Sequence, residues 1–186
     1  MRYFIDSEFI DDGSTIALIS IGMVAEDGRE LYAENLDADL SKASEWVSEN
    51  VVAKLWSRQP YPDHREFNRL SLNGLVGGLI THKGIAHEVL HFCDPQTHGI
   101  PEFWGYYSAY DWVAFCQLFG TMMHLPPGYP FYCRDLKQWA DDLGNPTLPE
   151  QTGEHHALAD AQWNKQVWQC LRDEADRLLD EDKTGK

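Results

Sequence analysis

The first third of the chain alternates short apolar runs with turn residues. Arg2 to Phe9 is apolar and aromatic except at Asp6 and Glu8, Thr15 to Val24 is rich in Ile and Leu, and Glu30 to Ala33 follows Asp27-Gly28. Asp-Gly between two apolar runs is a strong hairpin signal. With Asp12-Gly13 as the first turn, the pattern predicts an antiparallel meander of three strands. Ser41 is placed to cap a helix running to about Leu55, with Trp46, Val47 and Val51 on its apolar face. Between Pro60 and Pro101 the period is lost among prolines, the glycines at 74, 77 and 78, and the histidines at 82, 87, 91 and 98. That stretch is predicted to be helical in pieces.

Farther on, Phe103 to Ser108 predicts an aromatic strand and about Asp111 to Met123 a helix, stopped by Leu125-Pro126-Pro127-Gly128. Residues 131 to 134 read as a short strand leading into a helix from Asp135 to about Asp142. Gly144 to Gly153 reads as a loop. A last helix is predicted from about His155 to Leu179, with a tail that frays from about residue 180 to 186. Hairpin-connected strands followed by alternating strands and helices give an α/β domain over residues 1–186, a mixed sheet flanked by helices.

Length and composition fit that reading. The 186 residues suffice for one core, and 43% hydrophobic with 24% charged side chains excludes disordered, collagen-like and coiled-coil chains. Charge adds a restriction. Fifteen Lys and Arg against thirty Asp and Glu give a net charge of -15, which excludes gripping a long polyanion through many basic contacts. Cysteines at 93, 116, 133 and 170 form no CxxC pair and read as reduced thiols of a cytoplasmic protein. No apolar run is long enough to cross a membrane, and the opening residues do not read as a signal peptide.

The chemistry is carried by acids. Asp6 and Glu8, two residues apart on a predicted strand, project from one face. They are either part of a solvated face or, on a strand made central by the meander, a pair costing several kcal/mol unless a metal or partner neutralises it. Asp111 opens a predicted helix and suits a dipole-favoured cap as well as a ligand. In Gly153-Glu154-His155-His156-Ala157-Leu158-Ala159-Asp160, His155 and Asp160 begin the last helix. His156 competes with His155 for any role, and only the spacing to Asp160 separates them.

The order Asp6-x-Glu8, Asp111, His155-x4-Asp160 resembles the three motifs of the DEDDh 3'-to-5' exonucleases, which have a ribonuclease-H-like fold. Within that family the likeness is greatest to its mycobacterial exoribonuclease members. It is carried by Met1 to Ile10, Leu18 to Gly22, Val24 to Glu30, Ala109-Tyr110-Asp111, Cys116-Gln117-Leu118 and Leu125-Pro126-Pro127, and fades between about residues 56 and 102. The resemblance implies two divalent ions, Mg2+ or Mn2+, held by Asp6, Glu8, Asp111 and Asp160, with His155 as general base. It also implies nucleoside 5'-monophosphates released from single-stranded 3' ends, RNA before DNA, adenylate-rich ends among them, and a homodimer.

Phe9 and Trp112, next to Glu8 and Asp111, are candidate stacking surfaces for terminal bases, with packing as the alternative. Trp46, Trp163 and Trp168 fall at core positions of predicted helices. Arg134 is more simply a surface ion pair than a phosphate contact. A different chemistry is offered by His87-Glu88-Val89-Leu90-His91, which matches the HExxH pattern of zinc peptidases. Pro95 leaves little helix after it and no third ligand stands out, so the peptidase ranks below the nuclease. A non-catalytic nucleotide-binding module is a third class, opposed by the complete Asp, Glu, Asp, His, Asp set.

Overall fold

The computed structural model describes residues 1–59 and 75–184. Six strands form one mixed sheet: β1 (Arg2–Asp11), β2 (Ile16–Ala25), β3 (Glu30–Asn35), β4 (Leu75–Ile80), β5 (Glu102–Gly105) and β6 (Arg134–Asp135), in the order β4-β3-β2-β1-β5-β6. The predicted meander is present, with β1, β2 and β3 antiparallel. The outer strands β4, β5 and β6 join in parallel. The α/β class with a ribonuclease-H-like mixed sheet therefore holds.

Strand β4 lies where helical pieces were expected. Its glycines hid it from a propensity reading, yet the sheet requires them: a Cβ on Gly77 would stand 1.8 Å from the Tyr32 carbonyl oxygen. Residues 60–74 of the same expectation lie outside the described residues. The helix expected from Ser41 to Leu55 is instead α1 (Glu45–Asn50), capped by the Ser44 side chain and flanked by 3-10 turns at Leu40–Lys42 and Val52–Lys54. Ser44 accepts from the Val47 N–H, which fixes the start three residues late.

Helix α2 (His82–Phe92) packs Ile85, Val89 and Phe92 inward, and α3 (Pro95–His98) follows it. Strand β5 ends at Gly105 rather than Ser108. Helix α4 (Ala109–Gln117) stops well before Met123, and the chain then takes a 3-10 turn at Met122–His124. Helix α5 (Leu136–Asp142) starts after the Asp135 cap, and the strand expected at 131 to 134 is pushed on to Arg134–Asp135. Helix α6 (Ala157–Thr184) begins two residues later than expected and runs through Asp180. The tail expected from about residue 180 is helical through Thr184, and residues 185 and 186 lie outside the described residues.

Alternation along β1 divides the core. Tyr3 and Ile5 face one side, where α2 and α4 pack with Phe103 and Phe115. Phe4 faces the other, against Val24, Tyr32 and the start of α6. Gly22 sets how close α6 comes, since a Cβ there would lie 2.1 Å from the Ala157 carbonyl oxygen. Any larger residue on β2 would lift the first turn of α6, and Asp160 with it, off the sheet. All four cysteines are free, and no described helix is long and apolar enough to cross a membrane.

Candidate active site

Pairing between β1 and β5 runs from Arg2 opposite Glu102 to Phe4 opposite Trp104, and then the strands part. Ile5 and Ser7, two residues apart, turn their backbone groups to the same edge of β1. Those groups need partners once β5 has gone. Asn164 of α6 donates to the Ile5 carbonyl at 2.9 Å. Asp111, in the first turn of α4, takes the Ser7 N–H at 2.8 Å and the Ser7 hydroxyl at 2.7 Å, both on Oδ1. The opening of the sheet is therefore closed by two helices, each bringing a polar residue to β1.

On the opposite face of β1, Asp6 and Glu8 stand in line between buried Phe4 and Ile10. This is a core row interrupted by two acids, not a solvated face. Asp160 descends on it from α6. Its carboxylate accepts from Gln151 Nε2 at 2.7 Å and from the His156 N–H at 3.1 Å. Gln151 sits in a loop tied down by Trp163 Nε1 donating to the Pro149 carbonyl at 3.0 Å. Asp6, Glu8 and Asp160 bring ligand oxygens within 4.8 Å of one another. Asp111 stands outside that trio but lines the same cleft, about 530 Å³ in volume, together with His155.

All four carboxyls are harder to ionise than usual. Burial, and then the charges of Asp111, Asp160 and Glu8, push Asp6 well up. Burial and the charges of Asp160 and Asp111 push Glu8 up to about 8, against a smaller opposing effect of Lys54. Burial raises Asp111 to about 6 although its Ser7 hydrogen bonds pull the other way. Asp160 is raised by burial and held back by Gln151 and the His156 N–H. A dense set of oxygen donors with unfavourable mutual charge suits a hard divalent cation such as Mg2+ or Mn2+.

The two neighbouring histidines are separated by the backbone. His155 takes φ +64, the left-handed region, and enters the cleft, its ring edge-on to Trp46 with centroids 4.9 Å apart. His156 turns into the core. It stacks on Tyr32 with centroids 4.6 Å apart and an 18° interplanar angle, and burial lowers its pKa. His155 is therefore the imidazole available to a substrate. Lys54 holds this segment by donating to the Glu154 carbonyl at 2.6 Å.

Phe9 lines the cleft and meets Tyr110 edge-on at 5.8 Å. Trp112 does not line it. The indole stacks on Phe115 at 5.0 Å and leans on Phe103 at 5.4 Å, the packing alternative of the sequence reading. Trp46 corrects the sequence reading in the other direction: it is 53% exposed and lines the cleft. Shortening of the helix around it removed the core position. Tyr107, with φ +54 and 67% exposed, is a further aromatic of the rim that no spacing signalled. Arg134 pairs with Glu102 at 3.5 Å, as expected of a surface ion pair. Among the described residues, no Lys or Arg lines the cleft.

Comparison with known proteins agrees with this geometry. A family model described as Rv2179c-like, 3'-5' exoribonuclease Rv2179c-like domain, matches residues 1–171. The curated protein 3'-5' exoribonuclease Rv2179c of Mycobacterium tuberculosis strain ATCC 25618 / H37Rv is 40% identical over 162 residues, 87% of either chain. The 3'-5' exoribonuclease MT2234.1 of Mycobacterium tuberculosis strain CDC 1551 / Oshkosh matches to the same extent.

Proposed function

The chain belongs to the Rv2179c-like 3'-5' exoribonuclease family, and on that premise we propose that it is a metal-dependent 3'-to-5' exoribonuclease releasing nucleoside 5'-monophosphates from single-stranded ends. The observation that carries this reading is the meeting of Asp6, Glu8 and Asp160 in a cleft shared with Asp111 and His155. Asp6, Glu8 and Asp160 would hold one divalent ion, and Asp6 with Asp111 a second. The Ser7 bonds that occupy Asp111 Oδ1 suit a carboxylate acting partly through water. Two such ions supply charge neutralisation at the phosphate, activation of water and stabilisation of the leaving oxygen.

The rest falls to the chain's own side chains. His155 accepts a proton from the attacking water as its oxygen bonds to phosphorus, and the bond from phosphorus to the 3' oxygen breaks. An imidazole suits this task near neutral pH. Phe9, Trp46 and Tyr107 offer faces for the terminal bases, and stacking of this kind is worth about 1–3 kcal/mol per base. With no basic side chain among the described residues that line the cleft, the grip rests on metals and stacking at a few nucleotides. Preference for adenylate-rich ends and a homodimeric state belong to the same proposal.

The test uses 5'-labelled single-stranded RNA, single-stranded DNA and duplex RNA, each with Mg2+, Mn2+ or EDTA. Laddering from the 3' end of single-stranded RNA that EDTA abolishes, with 5'-monophosphates as products, is expected. Paired oligo(A) and oligo(U) substrates read base preference. Cleavage that persists in EDTA, or internal cuts, would contradict the proposal.

A further inference from the structure

The motif His87-Glu88-Val89-Leu90-His91 has no part in the cleft. It lies on α2, which buries Ile85, Val89 and Phe92 against the sheet. Residues 87 and 91 are one turn apart on a helix, so their side chains share a face, here the exposed one. The two Nε2 atoms stand 3.2 Å apart and the ring centroids 4.5 Å. Without an ion, that separation is a hydrogen bond in which one Nε2–H donates to the other ring's Nε2. The contact shows that the two ring nitrogens come within the spacing at which one ion could be shared.

From these positions we propose that His87 and His91 form a two-nitrogen clip for a borderline transition cation such as Zn2+, separate from the carboxylate cleft. Two nitrogens 3.2 Å apart, each about 2.05 Å from a Zn2+, subtend about 103° at the metal, near the tetrahedral angle. Glu88 stands beside the pair. Its Oε1 lies 3.8 Å from His87 Nδ1, the ring atom left over when Nε2 ligates, too far for a hydrogen bond but within a side-chain rotation of the place where a carboxylate orients a metal-bound imidazole. Imidazole donors select Zn2+, Ni2+ or Cu2+ over Mg2+, whereas the cleft offers oxygen alone. Lys83, one turn before His87, is exposed and long enough to keep its charge in water.

Among the described residues the clip has no third ligand of a peptidase centre. Catalytic zinc takes three protein ligands, and among the described residues the one group of three or more converging ligands is Asp6, Glu8 and Asp160. The remaining coordination positions at His87 and His91 are left to water.

The test titrates Zn2+ into the full chain by calorimetry with Mg2+ in large excess, so that the carboxylates are already filled. One Zn2+ event is expected in the wild type and in Asp160→Asn. In His87→Gln and His91→Gln it should weaken by at least about tenfold, since even an outer-shell partner is worth that much. Melting curves matching the wild type establish that these exposed substitutions leave the fold intact. No event in the wild type, an unchanged event in His91→Gln, or its loss in Asp160→Asn would overturn the clip.

Discussion

The cleft beside β1 and the outer face of α2 both gather metal-ligating side chains, and they are assembled in opposite ways. In the cleft, Asp6, Glu8, Asp111 and Asp160 come from three elements far apart in the chain, meet at the point where β1 and β5 separate, and are partly withdrawn from water. On α2, His87 and His91 come from one turn of one helix and stay in solvent. The contiguous motif is easier to see and brings less together: local spacing yields two candidate ligands, whereas tertiary convergence supplies four carboxyls, an imidazole and walls. Burial also gives the cleft its cost, because its four carboxyls repel one another in a poorly hydrated place.

The sharpest way to separate the regions is to remove one charge from the cleft. Asp6→Asn is expected to lower exoribonuclease turnover by at least about 1000-fold, the scale on which losing one group that stabilises transition-state charge acts. Turnover within tenfold of the wild type would place the chemistry elsewhere. Next in size is the contrast between the neighbouring histidines. His155→Ala should lose about 100- to 10,000-fold in kcat with an unchanged melting temperature. His156→Ala, which empties the space beside Tyr32, should instead cost about 1–3 kcal/mol of stability. The reverse pattern would assign the base to the buried ring.

A smaller effect tests how the cleft is held together. Gly22→Ala places a methyl on the Ala157 carbonyl, and such overpacking costs about 1–3 kcal/mol. Because the displaced turn carries Asp160, kcat should fall as well. A loss of stability with full activity would show that Asp160 does not depend on this contact.

The smallest expected effect concerns charge in the ion-free protein. A carboxyl whose pKa rises on folding binds more protons folded than unfolded between its two values, so stability falls as pH rises through that interval. For Glu8 the interval ends at about 8 and for Asp111 at about 6. The melting temperature in EDTA should therefore drop between about pH 5 and pH 8, and Mn2+ should restore most at the alkaline end. A flat profile, or equal rescue at both ends, would mean that the carboxyls are not strained by one another.

Strands of the meander were legible because their alternation and Asp-Gly turns act locally, and Asp6, Glu8, Asp111, His155 and Asp160 were legible as a set through their order. Strand β4 was not, since Gly77 and Gly78 carry no strand propensity, and Gly77 is required only by the approach of Tyr32. Trp46 was misplaced because helix periodicity was extended past the Ser44 cap. For Trp112 the two readings stayed open, because adjacency to Asp111 says nothing about which side of α4 faces the cleft. Lys54 acts on the site through the backbone carbonyl of Glu154, distant in sequence, and Gln151 through the nearby Asp160 carboxylate, contacts that residue type does not announce. Spacing to Asp160 alone picks His155 over His156, and the backbone supplies the physical reason: φ +64 at His155 sends the two rings apart.

The central claim is that the carboxylates of the cleft form the divalent-cation site. Mn2+ bound per chain, counted by electron paramagnetic resonance in the presence of a nucleoside 5'-monophosphate, tests it most directly. Two ions are expected for the wild type and for His91→Gln, with both weakened in Asp6→Asn. An Asp6→Asn chain that binds as many ions as the wild type, with the same affinity, would contradict the account.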